Sequence, residues 1–226
     1  MSSLTYNNSF TKACPLCTGK AILFTTYTGK DYFRCGECQL LFLDPLSYVN
    51  HVAEKKRYET HNNDVTDPAY QKFVSPITTA ILNDFEPSTK GLDYGCGTGP
   101  VATVVLQKKG FNHIALYDPY FENYPERLTE NTYDFIICCE VMEHFHHPNT
   151  EFKQLSKMLK SSGKLYLKTK LFPRNKSVAD FESWHYKNDE THVCFYSLEN
   201  LKYIAQRFNL ELEVANDQLI CFKSLS

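Results

Sequence analysis

The chain lacks any large imbalance of charge: 24 lysines and arginines face 26 aspartates and glutamates, a formal net charge of −2. Affinity drawn from a broad basic surface, the usual basis of nucleic-acid binding, is therefore disfavoured. A local basic patch from Lys153 to Lys170 is the exception. There is no apolar run near the roughly 20 residues that cross a bilayer. The opening stretch MSSLTYNNSF has no charged segment leading into an apolar core, so no secretory leader is expected. Internal repeats and low-complexity tracts are missing as well. The nine cysteines are odd in number and several lie inside apolar runs, which fits a reduced cytoplasm better than a disulfide framework. What is present is apolar material, 42% hydrophobic and 14% aromatic over 226 residues. That suffices for one packed domain of good size and a small appendage.

Three regions separate. Residues 1–45 carry two cysteine pairs, Cys14/Cys17 in CPLC and Cys35/Cys38 in CGEC, joined by a stretch that reads as a β-hairpin turning at Gly29 and Lys30. C-x2-C twice, with a hairpin between, is the spacing of a tetrahedral Zn²⁺ ribbon. Four protein thiolates leave no open position on the ion, so the zinc would fold the module rather than catalyse. Residues 46–89 are polar and tyrosine-rich, broken by NNDVTDP (Asn62 to Pro68), and YQKFVSPITTAILNDF has apolar residues at helical spacing. This region reads as a helical connector or lid, with Pro76 kinking or restarting its helix.

From residue 90 to 226 short apolar runs alternate with helical patterns. GLDYG, HIALYD, YDFIICC, GKLYLKT, LELEVA and LICFK read as strands. GPVATVVLQKKG, NTEFKQLSKMLKSSG and SLENLKYIAQRF read as helices, the first two ending at Gly110 and Gly163. Such alternation predicts an α/β, doubly wound, Rossmann-like and mostly parallel sheet. The turn GLDYGCGTGP brings Gly95, Gly97 and Gly99 between a strand and a helix, where bare backbone can approach a ligand. Asp118 follows nineteen residues after Gly99, at the next strand end, where an acid can accept ribose hydroxyls. Position 102 is Ala102, so the G-x-G-x-x-G of dinucleotide enzymes is incomplete.

With these residues in order, Asp93 to Gly99, then Asp118, then YDFIICCEVMEH, then LKSSGKLYLKT, residues 90–226 resemble the class I S-adenosylmethionine-dependent methyltransferases. The resemblance implies that Asp93, Tyr94 and the glycine loop face the methionine moiety of S-adenosylmethionine, and that Asp118, with Pro119 beside it, holds the ribose. Only fifteen residues separate Asp118 from Asp134, a shortened third unit. Cys138 and Cys139 are expected to line the cofactor in its place. The fourth strand end lies beside the methyl group in this family, which puts Glu140, Glu143 and His144 of EVMEH at the chemistry. They are expected at a strand end and on a first helical turn. The Glu-x-x-Glu-His spacing is similar to that of metal-dependent O-methyltransferases, the ubiquinone-pathway enzymes and the small-RNA 3′-terminal methylases. There a later histidine, here His192, completes an Mg²⁺-type site. The competing reading makes the same residues a helix start that lends polarity to the substrate. FESWHYKNDETHVCFYS, with the only tryptophan, Trp184, reads either as an aromatic core cluster or as a loop over the active site, and His185 is a candidate base. His146 and His147 read as solvated or packing residues. Arg57 to Tyr70 could close the other side, with Tyr58 and Tyr70 near cofactor. The expected acceptor is a small or carrier-bound molecule methylated on oxygen. RNA, bound through the ribbon, and a non-catalytic cofactor-binding module are the alternatives.

Overall fold

A computed structural model describes residues 10–60 and 63–226. The opening stretch and the start of the Asn62 to Pro68 break lie outside the described residues. Two sheets organise the rest. The larger has strand order β10-β11-β8-β7-β5-β6. Its centre is parallel: β5 (Gly91–Tyr94) lies between β6 (Ile114–Tyr117) and β7 (Tyr133–Cys139), and β7 pairs onward with β8 (Leu159–Lys168). β11 (Ile220–Ser224) and β10 (Leu210–Ala215) add an antiparallel edge.

The alternation within β7 shows why this sheet needs cover on both sides. Phe135 and Ile137 pack toward α2 (Pro68–Asp84) and α3 (Val101–Gln107), in a core with Val74, Ile77 and Leu106. Ile136 and Cys138 face the other way, toward α4 (Pro148–Met158) and α5 (Leu198–Arg207), with Phe152, Leu155, Leu201 and Ile204. A strand buried on both faces reads as a continuous apolar run, as FIICC does. Among the described residues no strand follows β6 before β7, only a 3-10 turn at Pro125–Arg127, so β6 forms the sheet edge.

Every strand expected in residues 90–226 is present, and two helical details differ. Helix α2 runs as one element through Pro76. Proline removes the donor for the Lys72 carbonyl, and the Ser75 hydroxyl bonds that carbonyl instead, at 2.8 Å. Helix α4 stops at Met158, and Gly163 lies inside β8 rather than capping a helix. A Cβ there would stand 3.0 Å from the carbonyls of Lys160 and Tyr133, so close strand approach is what requires glycine.

The second sheet, order β1-β2-β3-β4-β9, is antiparallel. β1 (Thr11–Ala13), β2 (Lys20–Tyr27), β3 (Lys30–Cys35) and β4 (Leu41–Leu43) come from the cysteine-bearing segment. β9 (Cys194–Phe195) comes from far along the chain, and its buried neighbours join both segments in one core. α1 (His51–Glu59) leads from this sheet toward α2.

Candidate active site

A cavity of about 1070 Å³ opens at the carboxyl ends of β5, β6 and β7. This is where open α/β sheets bind ligands. Its walls come from α1, the glycine loop, the loop after β6, residues 139–147 and the segment holding Asp189 and His192.

One half is built on the glycine loop. Gly95 (φ +77°) and Gly97 (φ +62°) hold left-handed conformations, and a Cβ on Gly95 would meet Val141 at 2.5 Å. Gly99 lies so close to Asn63 that a Cβ would overlap its carbonyl oxygen. Asp118 accepts the Gly97 N–H at 3.0 Å on one oxygen and the Tyr120 and Phe121 N–H groups at 2.8 and 3.2 Å on the other. These bonds tie the glycine loop to the next strand end. Burial raises the Asp118 pKa while the same N–H groups pull it down. Asp93 accepts the Thr103 hydroxyl at 2.7 Å, and burial pushes its carboxyl up to about 6. Tyr94, Pro119 and Cys139 also line this half. Cys138 does not: it points into the core on the α4 side.

The other half converges from distant segments. β7 ends at Cys139, and Glu140 takes φ +54°, a left-handed conformation that costs a side-chain-bearing residue about 1 kcal/mol. Residues Met142–His144 then form a single 3-10 turn, and α4 begins only at Pro148. Glu143 and His144 are therefore not on a first helical turn. A sharp turn, not a shared helix face, delivers them.

Glu143 is completely buried. Its Oε1 accepts the Tyr186 hydroxyl at 2.6 Å, while Oε2 is buried with no hydrogen-bond partner. Burial first, then the charge of Glu140, push its carboxyl up to about 8. His144 Nδ1 lies 2.9 Å from the Thr191 carbonyl, and His192 Nδ1 lies 2.6 Å from the Tyr186 carbonyl. A carbonyl only accepts, so each ring carries its hydrogen on Nδ1, and when neutral has its lone pair on Nε2. The two rings meet edge to face at 4.7 Å. Ligand atoms of Glu143, His144 and His192 all lie within 4.8 Å of one another. Glu140 stands beside this trio, linked through the Tyr186 hydroxyl at 3.1 Å.

Helix α1 forms the facing wall. Glu54 accepts the hydroxyls of Tyr58 (2.8 Å) and Tyr120 (2.6 Å), and Arg57 pairs with Asp189 at 2.7 Å. Tyr58 packs edge-on to His144, ring centres 5.2 Å apart, and Tyr70 lines the cavity too. His146 packs at a tilt against Tyr48, ring centres 4.5 Å apart, and His147 precedes α4; both reach the cavity wall. His185 does not. Its Nε2 lies 3.0 Å from Lys170 Nζ in an exposed pair away from the lining. Trp184 packs among Phe172, Tyr186 and Phe195 as part of the aromatic core. Sequence places Tyr186 in the FESWHYKNDETHVCFYS segment without giving it a role, and does not single out Glu54. The only trace of either was an aromatic among acids, which many surface segments show.

The cysteines form a separate cluster. Cys14 and Cys38 sulfurs are 3.5 Å apart, Cys17 and Cys35 3.3 Å, and all four lie within 4.8 Å of one another. Sulfurs around a tetrahedral Zn²⁺ sit about 3.8 Å apart, given Zn–S bonds near 2.3 Å. Backbone N–H groups of Gly19 and Glu37 point at the Cys17 and Cys35 sulfurs, as they do where thiolate charge must be held. The donor set fits the ion.

The sequence model of a family described as "Methyltransferase domain" matches residues 40–214. No curated protein matches the chain significantly. Among solved structures, the 1,6-didemethyltoxoflavin N1-methyltransferase of Burkholderia thailandensis, with its substrate and S-adenosylhomocysteine bound, is 13% identical. The match covers 89% of this chain and 98% of that one, with a TM-score of 0.56. A methyltransferase of Thermotoga maritima is 14% identical over 78% of this chain and 96% of its own, TM-score 0.46. At 13% identity the likeness to the Burkholderia enzyme speaks to fold alone.

Proposed function

The chain belongs to the methyltransferase-domain family and is an S-adenosylmethionine-dependent methyltransferase; on that premise we propose that it methylates an oxygen of a small or carrier-bound acceptor, assisted by a divalent cation of the Mg²⁺ type. The observation that carries the reading is a buried carboxylate oxygen with no partner beside two imidazoles whose Nδ1 hydrogens are taken by carbonyls. Anchoring the far nitrogen of each histidine in this way is how proteins orient metal ligands. Glu143, His144 and His192 would hold the ion, which when bound lowers the pKa of a hydroxyl acceptor.

The chain's own residues do the rest. Gly95, Gly97, Gly99, Asp93 and Asp118 hold S-adenosylmethionine, Tyr94, Pro119 and Cys139 bound it, and Glu140 faces the acceptor. The acceptor oxygen attacks the sulfonium methyl in line, the C–S bond breaks, and neutral S-adenosylhomocysteine remains. The acceptor proton passes to Glu140, steadied by the Tyr186 hydroxyl. Positioning supplies most of the rate. Among the described residues, seven carboxylates and no lysine or arginine line the cavity. Such a wall repels phosphates, which favours a neutral or cationic small acceptor over RNA. The same wall supports a second reading, methylation of an amine nitrogen. The four-cysteine cluster supports structural zinc and a reducing, cytoplasmic setting, with residues 1–45 as the ribbon, 46–89 as the lid and 90–226 as the catalytic domain. Among the described residues no helix is long and apolar enough to cross a membrane.

The test is methyl transfer after chelation that spares the cysteine-bound metal. Activity should vanish and return with Mg²⁺. Undiminished activity would remove the cation and leave Glu143 as a protonated carboxyl facing the acceptor.

A further inference from the structure

The cysteine cluster lies away from the cavity, yet it is wired to it. Strand β4 follows the second cysteine pair directly, and beyond β3 it pairs with β9, which begins two residues after His192. Leu41 pairs with Phe195 and Phe42 with Cys194. Beyond the ladder, the Leu43 N–H bonds the Val193 carbonyl at 2.9 Å, and the Val193 N–H bonds the Glu143 carbonyl at 2.9 Å. One residue, Val193, thus links the cysteine module to the turn that presents Glu143. Two more bonds grip that turn and the residue after it from β9 and its next residue: Cys194 Sγ to the Phe145 carbonyl at 3.3 Å, and the Tyr196 hydroxyl to the Met142 carbonyl at 3.0 Å. At the other end, the Asn200 side chain donates to the Cys38 carbonyl.

We propose that the four-cysteine module is a positioning element of the active site, setting through β4 and β9 where Glu143, His144 and His192 stand. A module that served to recruit a partner would keep its own core and meet the catalytic part through a thin contact. Here Phe33, Leu40, Leu41 and Phe42 are buried in the same core as Phe152, Phe181 and Phe195. Two short strands make a weak ladder alone, and a metal-tied β4 gives β9 a fixed edge. The backbone carbonyls holding both imidazoles, Thr191 and Tyr186, lie in the segment that β9 anchors. The proposal uses the preceding section only for what the trio does, and its geometry does not depend on which acceptor is methylated.

The experiment compares the full chain with C35S and F42L, following the His144 and His192 ring nitrogens by ¹⁵N NMR beside turnover and S-adenosylmethionine affinity. C35S removes one thiolate, and F42L keeps all four but loosens the β4 contact. In both, the Nδ1–H signals of the two histidines should shift or broaden. In C35S, kcat should fall ~10–100-fold, the scale of a displaced catalytic group, with cofactor affinity within about twofold. If C35S does not fold, F42L alone decides: wild-type imidazole signals and wild-type kcat would overturn the proposal. So would a folded C35S whose module has lost amide protection while both histidine signals stay unchanged. Chelator-resistant activity would defeat the metal reading above and leave this test standing, because the ring signals are read without turnover.

Discussion

The cofactor half of the cavity is assembled from two strand ends, residues 93–99 and 118–121, clipped together by the Gly97 to Asp118 bond of 3.0 Å. The acceptor half needs α1, the 140–144 turn, the 186–192 segment and, behind them, a strand of the cysteine module. In the first, two consecutive strands lie side by side in the sheet, so short motifs at their ends carry the geometry. In the second, Glu143 and His144 are held by a hydroxyl and a carbonyl from a segment more than forty residues away, Tyr186 and Thr191. Affinity for the cofactor should therefore tolerate remote change, while chemistry on the acceptor should not.

The sharpest separation of the halves should come from Glu143→Gln. The side chain keeps its shape and loses its charge, so turnover should fall about 10²-fold or more if it serves the cation or a proton. S-adenosylmethionine affinity, read by calorimetry, should stay put; a matching loss of both would merge the two halves into one unit. Asp118→Ala should do the reverse. Losing its bond to the Gly97 N–H, and the hydrogen bonds proposed to ribose, should weaken cofactor binding by roughly 1–3 kcal/mol, with kcat at saturating cofactor little changed.

A pH series sharpens the comparison next. The Glu143 carboxyl, pushed up to about 8 by burial and by Glu140, must lose a proton before it can ligate a cation. Below that pH each unit of rise should strengthen divalent binding up to tenfold, one proton being released per ion. Above about 8 the affinity should level off. Titrations in buffers of different ionisation heat would show the proton, and a flat profile from pH 6 to 8 would exclude Glu143 as a ligand. The smallest effect belongs to His185→Ala. With its ring at Lys170 and outside the cavity, turnover should change by less than about twofold. A larger fall would restore it as the base.

The sheet was legible because a twice-covered strand is an unbroken apolar run and a half-covered one alternates, so YDFIICC and LELEVA announced themselves. Gly163 reads as a helix end because glycine marks helix ends and tight strand approaches alike, and only the carbonyls of Tyr133 and Lys160 distinguish them. EVMEH was read as a helix start because its spacing fits one. The left-handed turn at Glu140, which sequence does not favour, is held from outside by the Lys168 carbonyl that accepts its N–H at 2.8 Å.

What the sequence determined by itself is whatever short-range chemistry dictates: two cysteine knuckles, a glycine turn between strand and helix, an acid at the next strand end, and the parallel core behind them. What only the tertiary structure decided is which polar groups meet. His192 and His144 became partners, His185 was left outside, and Tyr186 came to join two glutamates, because a strand of two residues docks on the cysteine module and closes the loop against the turn. That docking depends on apolar burial, which is additive and without direction, so no local pattern in the chain could encode which side chains it would bring together.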